Sequence, residues 1–264
     1  MSEKKIVFFD IDGTLADEST CEIPESTVEA MKLARANGHI MIVNTGRAYC
    51  AVADAIKALP LDGFICSCGI DIWYRGEEIF HDPLPADLCK RLIRESFAGG
   101  WELVLENRDK LYFPRGASYP PTHTFRAVFE RQDIPLTEYG VEDDHLTFDK
   151  MVLWYEPERD VEKFMDLFRP DLGYIRRAPN FLELLPDRHS KATGIDRLLG
   201  YLGMKLEDTL SIGDSTNDLP MLKHTKESVA MGNSHPDVFQ YVTYTTTDIH
   251  DDGIYNALKH YELI

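Results

Sequence analysis

The sequence predicts an α/β protein, a doubly wound parallel-sheet core interrupted by an inserted α+β unit. Three observations predict it. Short apolar runs alternate with stretches of helical spacing in the first third of the chain and again in the last quarter. The alternation breaks at Pro83 and Pro85 and resumes after Pro186. Polar clusters follow several apolar runs, where an open α/β sheet binds its ligands. The expected division is a core of residues 1–82 and 187–264 with residues 83–186 inserted.

The first strand is Ile6-Val7-Phe8-Phe9, short, β-rich and apolar throughout, as a buried parallel strand is. Residues 24–37 carry Val28, Met31 and Leu33 or Ala34 at helical spacing, and Gly38 suits the stop. Ile40-Met41-Ile42-Val43 reads as a second buried strand, ending at Asn44-Thr45-Gly46-Arg47. Residues 48–59 read as helix and Gly63-Phe64-Ile65-Cys66 as a third strand. Residues 70–74 and 78–80 flank Arg75-Gly76, a hairpin turn.

Past Pro85 the order changes. A helix over 86–98 precedes strands over 101–105 and 110–113, a Pro-rich loop over 114–121 and a helix near 125–131. A strand over 150–155, a helix over 161–168 and strands over 173–176 and 181–185 complete a mostly antiparallel α+β unit. The core pattern then returns: a helix over 192–202, a strand over 209–212 ending at Gly213-Asp214, a short helix over 219–224, a strand over 228–231 and a last helix over 252–261.

With 28 basic and 45 acidic residues, the chain carries a net charge of -17. Such a field repels nucleic acid and anionic membranes, and phosphate esters too unless local cations receive them. Cys21, Cys50, Cys66, Cys68 and Cys89 form no disulfide-scaffold pattern, and Cys66-Ser67-Cys68 lacks a second ligand pair at zinc spacing. With no signal peptide and no membrane-spanning run, this suggests a reducing cytoplasm.

The densest chemistry is Asp10-Ile11-Asp12-Gly13-Thr14. An Asp-Gly turn explains Asp12 and Gly13 but not Asp10. Two carboxylates at one strand end repel each other, so a cation is expected with them. Three more clusters share that placement: Thr45-Gly46-Arg47, Lys191, and Gly213-Asp214-Ser215-Thr216-Asn217-Asp218. Each alone has a plain reading as a turn, a solvated lysine or a capped loop. In a parallel sheet their positions converge on one edge.

Together these clusters resemble the motifs of the haloacid dehalogenase superfamily of phosphotransferases. Phe9-Asp10-Ile11-Asp12-Gly13-Thr14-Leu15 is similar to its first motif, Thr45 to the second, Lys191 to the third, and residues 213–218 to the fourth. The insertion lies between the second and third, which resembles the Cof-like branch with its large cap. Two departures stand out. Ala192 follows Lys191 where the family often has Gly, and Cys66-Ser67-Cys68-Gly69 stands where Cof-like members often carry Asn-Gly.

The resemblance implies a Rossmann-like core and a Mg2+-dependent phosphatase acting on a small phosphorylated metabolite, such as a sugar phosphate. Asp10 is then the nucleophile, needing no base because a carboxylate is already ionised at neutral pH. Asp12 is the general acid and afterwards the base. The resemblance implies the Asp10 carboxylate, the Asp12 carbonyl and the Asp214 carboxylate as Mg2+ ligands, with Asp218 orienting a metal-bound water. Thr45 and Lys191 would act on the phosphoryl group, with Gly46, Arg47 and Asn217 beside it. Arg115, His123, Arg126, Arg176 and Arg177 are basic or polar residues of the insertion that could contact substrate, although a solvated surface is the plainer reading, as a structural role is for His189. Two other readings stay open. A phosphomutase of the phosphomannomutase type would pass the phosphoryl group to a sugar hydroxyl. A non-catalytic protein on the same fold would have no need of Asp10, Asp12 and Asp214 together.

Overall fold

The computed structural model describes residues 4–264. These form two compact units. The first comprises the residues up to Gly46, Asp54–His81 and Ser190–Ile264; the second comprises Arg47–Ala53 and Asp82–His189.

Along the chain, the first unit begins with β1 (Ile6–Phe9), α1 (Glu25–Ala36) and β2 (Ile40–Asn44). After the excursion of residues 47–53 come α2 (Asp54–Lys57), β3 (Gly63–Cys66), β4 (Asp71–Tyr74) and β5 (Glu77–His81). The second unit supplies α3 (Ala86–Gly99), β6 (Glu102–Glu106), β7 (Leu111–Pro114), α4 (Pro120–Glu130), β8 (Leu136–Tyr139), β9 (Lys150–Trp154), α5 (Val161–Asp166), β10 (Gly173–Ala178) and β11 (Phe181–Leu185). The chain returns with α6 (Lys191–Leu202), β12 (Thr209–Gly213), α7 (Leu219–Leu222), β13 (Glu227–Ala230), β14 (Tyr244–Thr245) and α8 (Gly253–His260).

The first unit is built on an eight-stranded sheet of order β14-β13-β12-β1-β2-β3-β4-β5. Pairing is parallel from β14 to β3 and antiparallel across β3, β4 and β5. β1 lies between β12 and β2 in register, Phe9 opposite Ile212 and Val43. Strands β1, β2 and β12 are buried at every residue, as a sheet covered on both faces requires. Ile6, Phe8, Ile40 and Ile42 pack with Ile195, Leu198 and Leu199 of α6 and with Met221 and Leu222 of α7. The parallel strands run the same way, so β1, β2, β3 and β12 end along one edge.

The second unit holds a six-stranded sheet of order β10-β11-β9-β6-β7-β8, antiparallel except for the β7–β8 pair. Leu103, Leu105, Met151, Leu153, Leu182 and Leu184 cluster with Leu92 of α3 and Phe164 of α5. The alternate residues Val104 and Val152 belong to a separate cluster with Phe113, Phe129 and Ile134, joined by Ala48, Cys50 and Ala51.

That last contact corrects one expectation. Residues 48–59 do not form a helix. Tyr49–Ala51 is a single 3₁₀ turn, Ala48 and Val52 are extended, and only Asp54–Lys57 is helical. Residues that read as one helix are divided between two units, 48–53 in the second and 54–59 in the first, so tertiary burial overrides local propensity. In the second unit α4 starts earlier than expected. Pro120 and Pro121 open it, where the missing N–H groups cost nothing. Strands β8 and β14 lacked an apolar signal: only one of the four residues of β8 is buried, and β14 has only two residues. No disulfide joins the five cysteines. Among the described residues no helix is long and apolar enough to cross a membrane.

Candidate active site

The site is assembled at the end of β1. The Asp10 N–H donates to the Ile212 carbonyl at 3.1 Å, which prolongs the ladder and fixes Asp10 one residue beyond the strand. The chain then tightens. The Ile11 carbonyl accepts from the N–H groups of Thr14, Leu15 and Ala16 at 3.2, 2.9 and 3.0 Å. Gly13 turns at φ +78°, and a Cβ there would strike the Asp214 carboxylate, so both conformation and close approach require glycine. The Asn233 amide closes the loop by donating to the Gly13 carbonyl at 2.8 Å.

Strand β12 brings Asp214 alongside. The Thr14 hydroxyl donates to Asp214 Oδ1 at 3.0 Å. Asp218, fully buried four residues on, accepts the N–H groups of Asp214 and Ser215 through Oδ2 at 3.0 and 3.1 Å. Its other oxygen receives Lys191 Nζ at 2.5 Å, and the same ammonium reaches Asp10 Oδ1 at 2.6 Å. Lys191 is the first residue of α6. Ser190 caps that helix by accepting from the Thr193 N–H, while the Thr193 hydroxyl accepts from the Ser190 N–H. From β2, Asn44 Nδ2 donates to the Lys191 carbonyl at 3.0 Å.

The electrostatics follow from burial. Carboxylate oxygens of Asp10, Asp214 and Asp218 all lie within 4.8 Å of one another. Burial, then the Asp218 charge, push Asp10 up to about 7 against the pull of Lys191, with Asp12 raising it further. Burial, then Asp10 and Asp218, push Asp214 up to about 8. Burial works against the Lys191 ammonium, yet Asp10 and Asp218 overcome it and hold the group above the usual lysine range. Three carboxylates face one ammonium, so the cluster lacks positive charge. Oxygen donors with that deficit fit a hard divalent cation such as Mg2+. Asp218 accepts hydrogen bonds through both oxygens, which leaves it less capacity for a cation than Asp10 or Asp214.

The other sequence-derived positions divide by unit. Thr45, buried at the end of β2, donates its N–H to the Ile65 carbonyl at 2.8 Å. Gly46 ends this part of the first unit. Asn217 accepts from the Ser215 hydroxyl. Arg47 belongs to the second unit, where it donates to the Ala51 carbonyl at 3.0 Å and to Gln132 Oε1 at 3.2 Å. In that unit Arg115 pairs with Glu142, Arg126 with Glu130 and Glu138, Arg177 with Glu183, and Arg176 donates to the Tyr155 hydroxyl. His189 and Arg188 both bind Asp82 Oδ2, at 2.9 and 2.8 Å. Sequence reasoning gave no role to Asn44, Thr14 or Asn233. An amide ending an otherwise apolar buried strand was the one available signal, at Asn44.

The sequence pattern of the haloacid dehalogenase-like hydrolases matches residues 7–258. The chain belongs to the haloacid dehalogenase-like hydrolase family. A Bacillus subtilis member named "Putative phosphatase YkrA" is 28% identical over 263 residues, covering 99% of each chain. The B. subtilis 5-amino-6-(5-phospho-D-ribitylamino)uracil phosphatase YitU is 28% identical over 272 residues, 97% of each chain. The solved structure of the HAD subclass IIB sugar phosphatase BT4131 superposes with a TM-score of 0.83 at 27% identity, over 99% of this chain and 100% of that one. This haloacid dehalogenase-like hydrolase is therefore a phosphoric monoester hydrolase acting on a small phosphorylated substrate.

Proposed function

We propose that the protein is a Mg2+-dependent phosphatase of a sugar or polyol phosphate that works through an aspartyl-phosphate on Asp10. The observation that carries this reading is the buried Asp10–Lys191–Asp218–Asp214 constellation at the end of β1. The Asp10 carboxylate attacks phosphorus as the ester P–O bond breaks, and Asp12 gives its proton to the departing oxygen. Water then attacks the phosphoryl group, its proton passes to Asp12, and the Asp10 carboxylate is released. Lys191 and the Thr45 hydroxyl hold the phosphoryl oxygens during both transfers. Mg2+, held by the Asp10 carboxylate, the Asp12 carbonyl and the Asp214 carboxylate, would supply positive charge to those oxygens. Asp218 keeps Lys191 charged and aimed.

The second unit acts as the specificity cap, because the reacting groups all lie in the first unit. The sugar or polyol class is supported by the names of two relatives, a sugar phosphatase and a phosphoribitylaminouracil phosphatase. Transfer to water is favoured over a phosphomutase outcome because the named relatives are phosphatases. The test is phosphate release from a panel of phosphorylated sugars and polyols, with and without Mg2+, followed by single-turnover partition between water and a second sugar. Release that is indifferent to chelator removes the metal, and transfer to the sugar makes the enzyme a mutase.

A further inference from the structure

The β3–β4 hairpin tip is built in a way that its turn alone does not explain. Ser67, Cys68 and Gly69 have φ of 50°, 55° and 90°, three successive residues in the left-handed region. Only glycine occupies that region freely, and each other residue held there is strained. All three residues are buried, and the Ser67 hydroxyl is buried with no hydrogen-bond partner. Strain and an unmatched polar atom at one place mean that something else fixes the tip.

Its contacts show what the tip touches. The Cys68 N–H donates to the Thr45 carbonyl at 3.1 Å, immediately after β2. On its other side the tip presses on the first turn of α6. A Cβ on Gly69 would meet the Ser190 carbonyl oxygen at 2.5 Å and the Gly194 nitrogen at 3.1 Å, and a Cβ on Gly194 would meet the Gly69 Cα at 3.0 Å. Backbone therefore meets backbone at Gly69 and Gly194. Arg197 Nη1 lies 3.5 Å from the Gly69 carbonyl and bonds the Thr193 hydroxyl at 3.0 Å, tying tip and helix together. Asn44 closes the circuit from β2 to the Lys191 carbonyl.

We infer that the left-handed tip Ser67-Cys68-Gly69 is a positioning element that sets Thr45 and Lys191 at a fixed separation, so that the hydroxyl and the ammonium meet the same phosphoryl group. Neither residue can set that distance by itself. Thr45 lies one residue past β2, and the chain passes to the other unit at residue 47. Lys191 opens a helix whose preceding residue, Ser190, is the first of its segment. The tip spans the two with backbone contacts, which are stiffer than side-chain contacts. The strain is kept because a relaxed turn would withdraw the Cys68 N–H from Thr45 or open the Gly69–Gly194 contact. The inference rests on the phosphatase reading above, with Thr45 and Lys191 as phosphoryl-binding groups.

Cys68→Val puts a β-branched side chain where φ is positive and drives the tip out of its conformation. Gly194→Ala pushes the tip from the helix side. Cys68→Gly keeps the left-handed turn without strain and serves as the conservative control. Asp10→Asn is assayed beside them: an inactive wild type, or an active Asp10→Asn, overturns the phosphatase reading and this inference with it. With that passed, the valine and alanine variants should lose about tenfold or more in kcat and a similar factor in inhibition by inorganic phosphate, as misplaced binding groups do. The thermal shift given by Mg2+ should be unchanged in both, and Cys68→Gly should stay within about twofold of wild type. In a Thr45→Ala background the Cys68→Val loss should shrink, because one of the two groups that the tip positions is already removed. Folded Cys68→Val and Gly194→Ala enzymes with wild-type kcat and phosphate inhibition, or a loss undiminished in the Thr45→Ala background, would overturn the inference. If Cys68→Val does not fold, Gly194→Ala decides by the same readings.

Discussion

At the scale of single residues, the site is an arrangement of charges that do not cancel. Lys191 pairs directly with Asp10 and Asp218, whereas Asp214 receives the Thr14 hydroxyl and feels the Lys191 charge only from a distance. Asp10→Asn keeps shape but loses the anionic nucleophile. Turnover should fall below about a thousandth of wild type while the circular dichroism spectrum stays native. Near-normal phosphate release by the folded variant would remove Asp10 from the chemistry. The metal assignment has a readout independent of turnover. Mg2+ should raise the melting temperature of the wild type, since a ligand that binds only the folded state stabilises it. Asp214→Asn should abolish that rise. Asp218→Asn should keep most of it yet lose about tenfold to a hundredfold in kcat, because Lys191 loses an anchor. Equal loss of the Mg2+ shift in both variants would make Asp218 a ligand. Asp10, Lys191, Asp214 and Asp218 were legible in the sequence because each sits at a strand end or helix start, where local pattern carries position. Thr14 and Asn233 were not. Thr14 acts through Asp214, 200 residues away, and Asn233 through Gly13, 220 residues away, and no local pattern encodes either pairing.

At the scale of elements, legibility tracks burial on both faces. β1, β2 and β12 are buried at every residue, and their apolar residues placed them within about a residue of their observed ends. The half-exposed β8 escaped notice. The cap sheet shows why a buried strand can still read as polar. Lys150 opens β9 with its ammonium 3.0 Å from Glu106 and 2.7 Å from Glu183, and all three are buried. Burial raises Glu106 first, and Lys150 holds it down. Lys150→Met would leave two buried carboxylates without that cation, at a cost of about 3–5 kcal/mol. The sign with pH is fixed. Without Lys150, Glu106 rises further above its ordinary 4.5 and binds a proton on folding. The penalty should therefore be full in alkaline buffer and shrink as pH falls through the raised value. Urea melts of wild type and variant at acid and alkaline pH measure it. A penalty that grew on acidification would show that the carboxylates are not what the lysine serves.

At the scale of the whole molecule, the decisive feature is how often the chain passes between units. An insertion between two crossings would pass twice. Here the chain passes four times, after residues 46, 53, 81 and 189. The extra pair comes from residues 47–53, which pack as part of the cap through Ala48, Cys50 and Ala51 and through the Cys50 Sγ donor to the Asn107 carbonyl at 3.2 Å. This excursion begins two residues after Thr45, so the cap is covalently continuous with a phosphate-binding candidate. It also changes what cap removal should do. Excising 82–189 alone strips the apolar partners from residues 47–53 and leaves Ala48, Cys50 and Ala51 in water, a local apolar patch that favours aggregation. That protein should be poorly soluble or melt well below wild type. Replacing residues 47–53 with a short polar linker in the same deletion should restore a soluble core. The restored core should keep the Mg2+ thermal shift and hydrolyse small activated phosphates slowly. Its ranking of sugar and polyol phosphates should collapse, because the remote contacts that select among them are gone. The two deletions are compared by gel filtration, melting temperature and specificity ratios. If excision of 82–189 alone gives the more stable core, residues 47–53 do not depend on the cap for burial. If the restored core keeps the parent ranking, selectivity resides at the edge of the catalytic sheet and the second unit is not the specificity element.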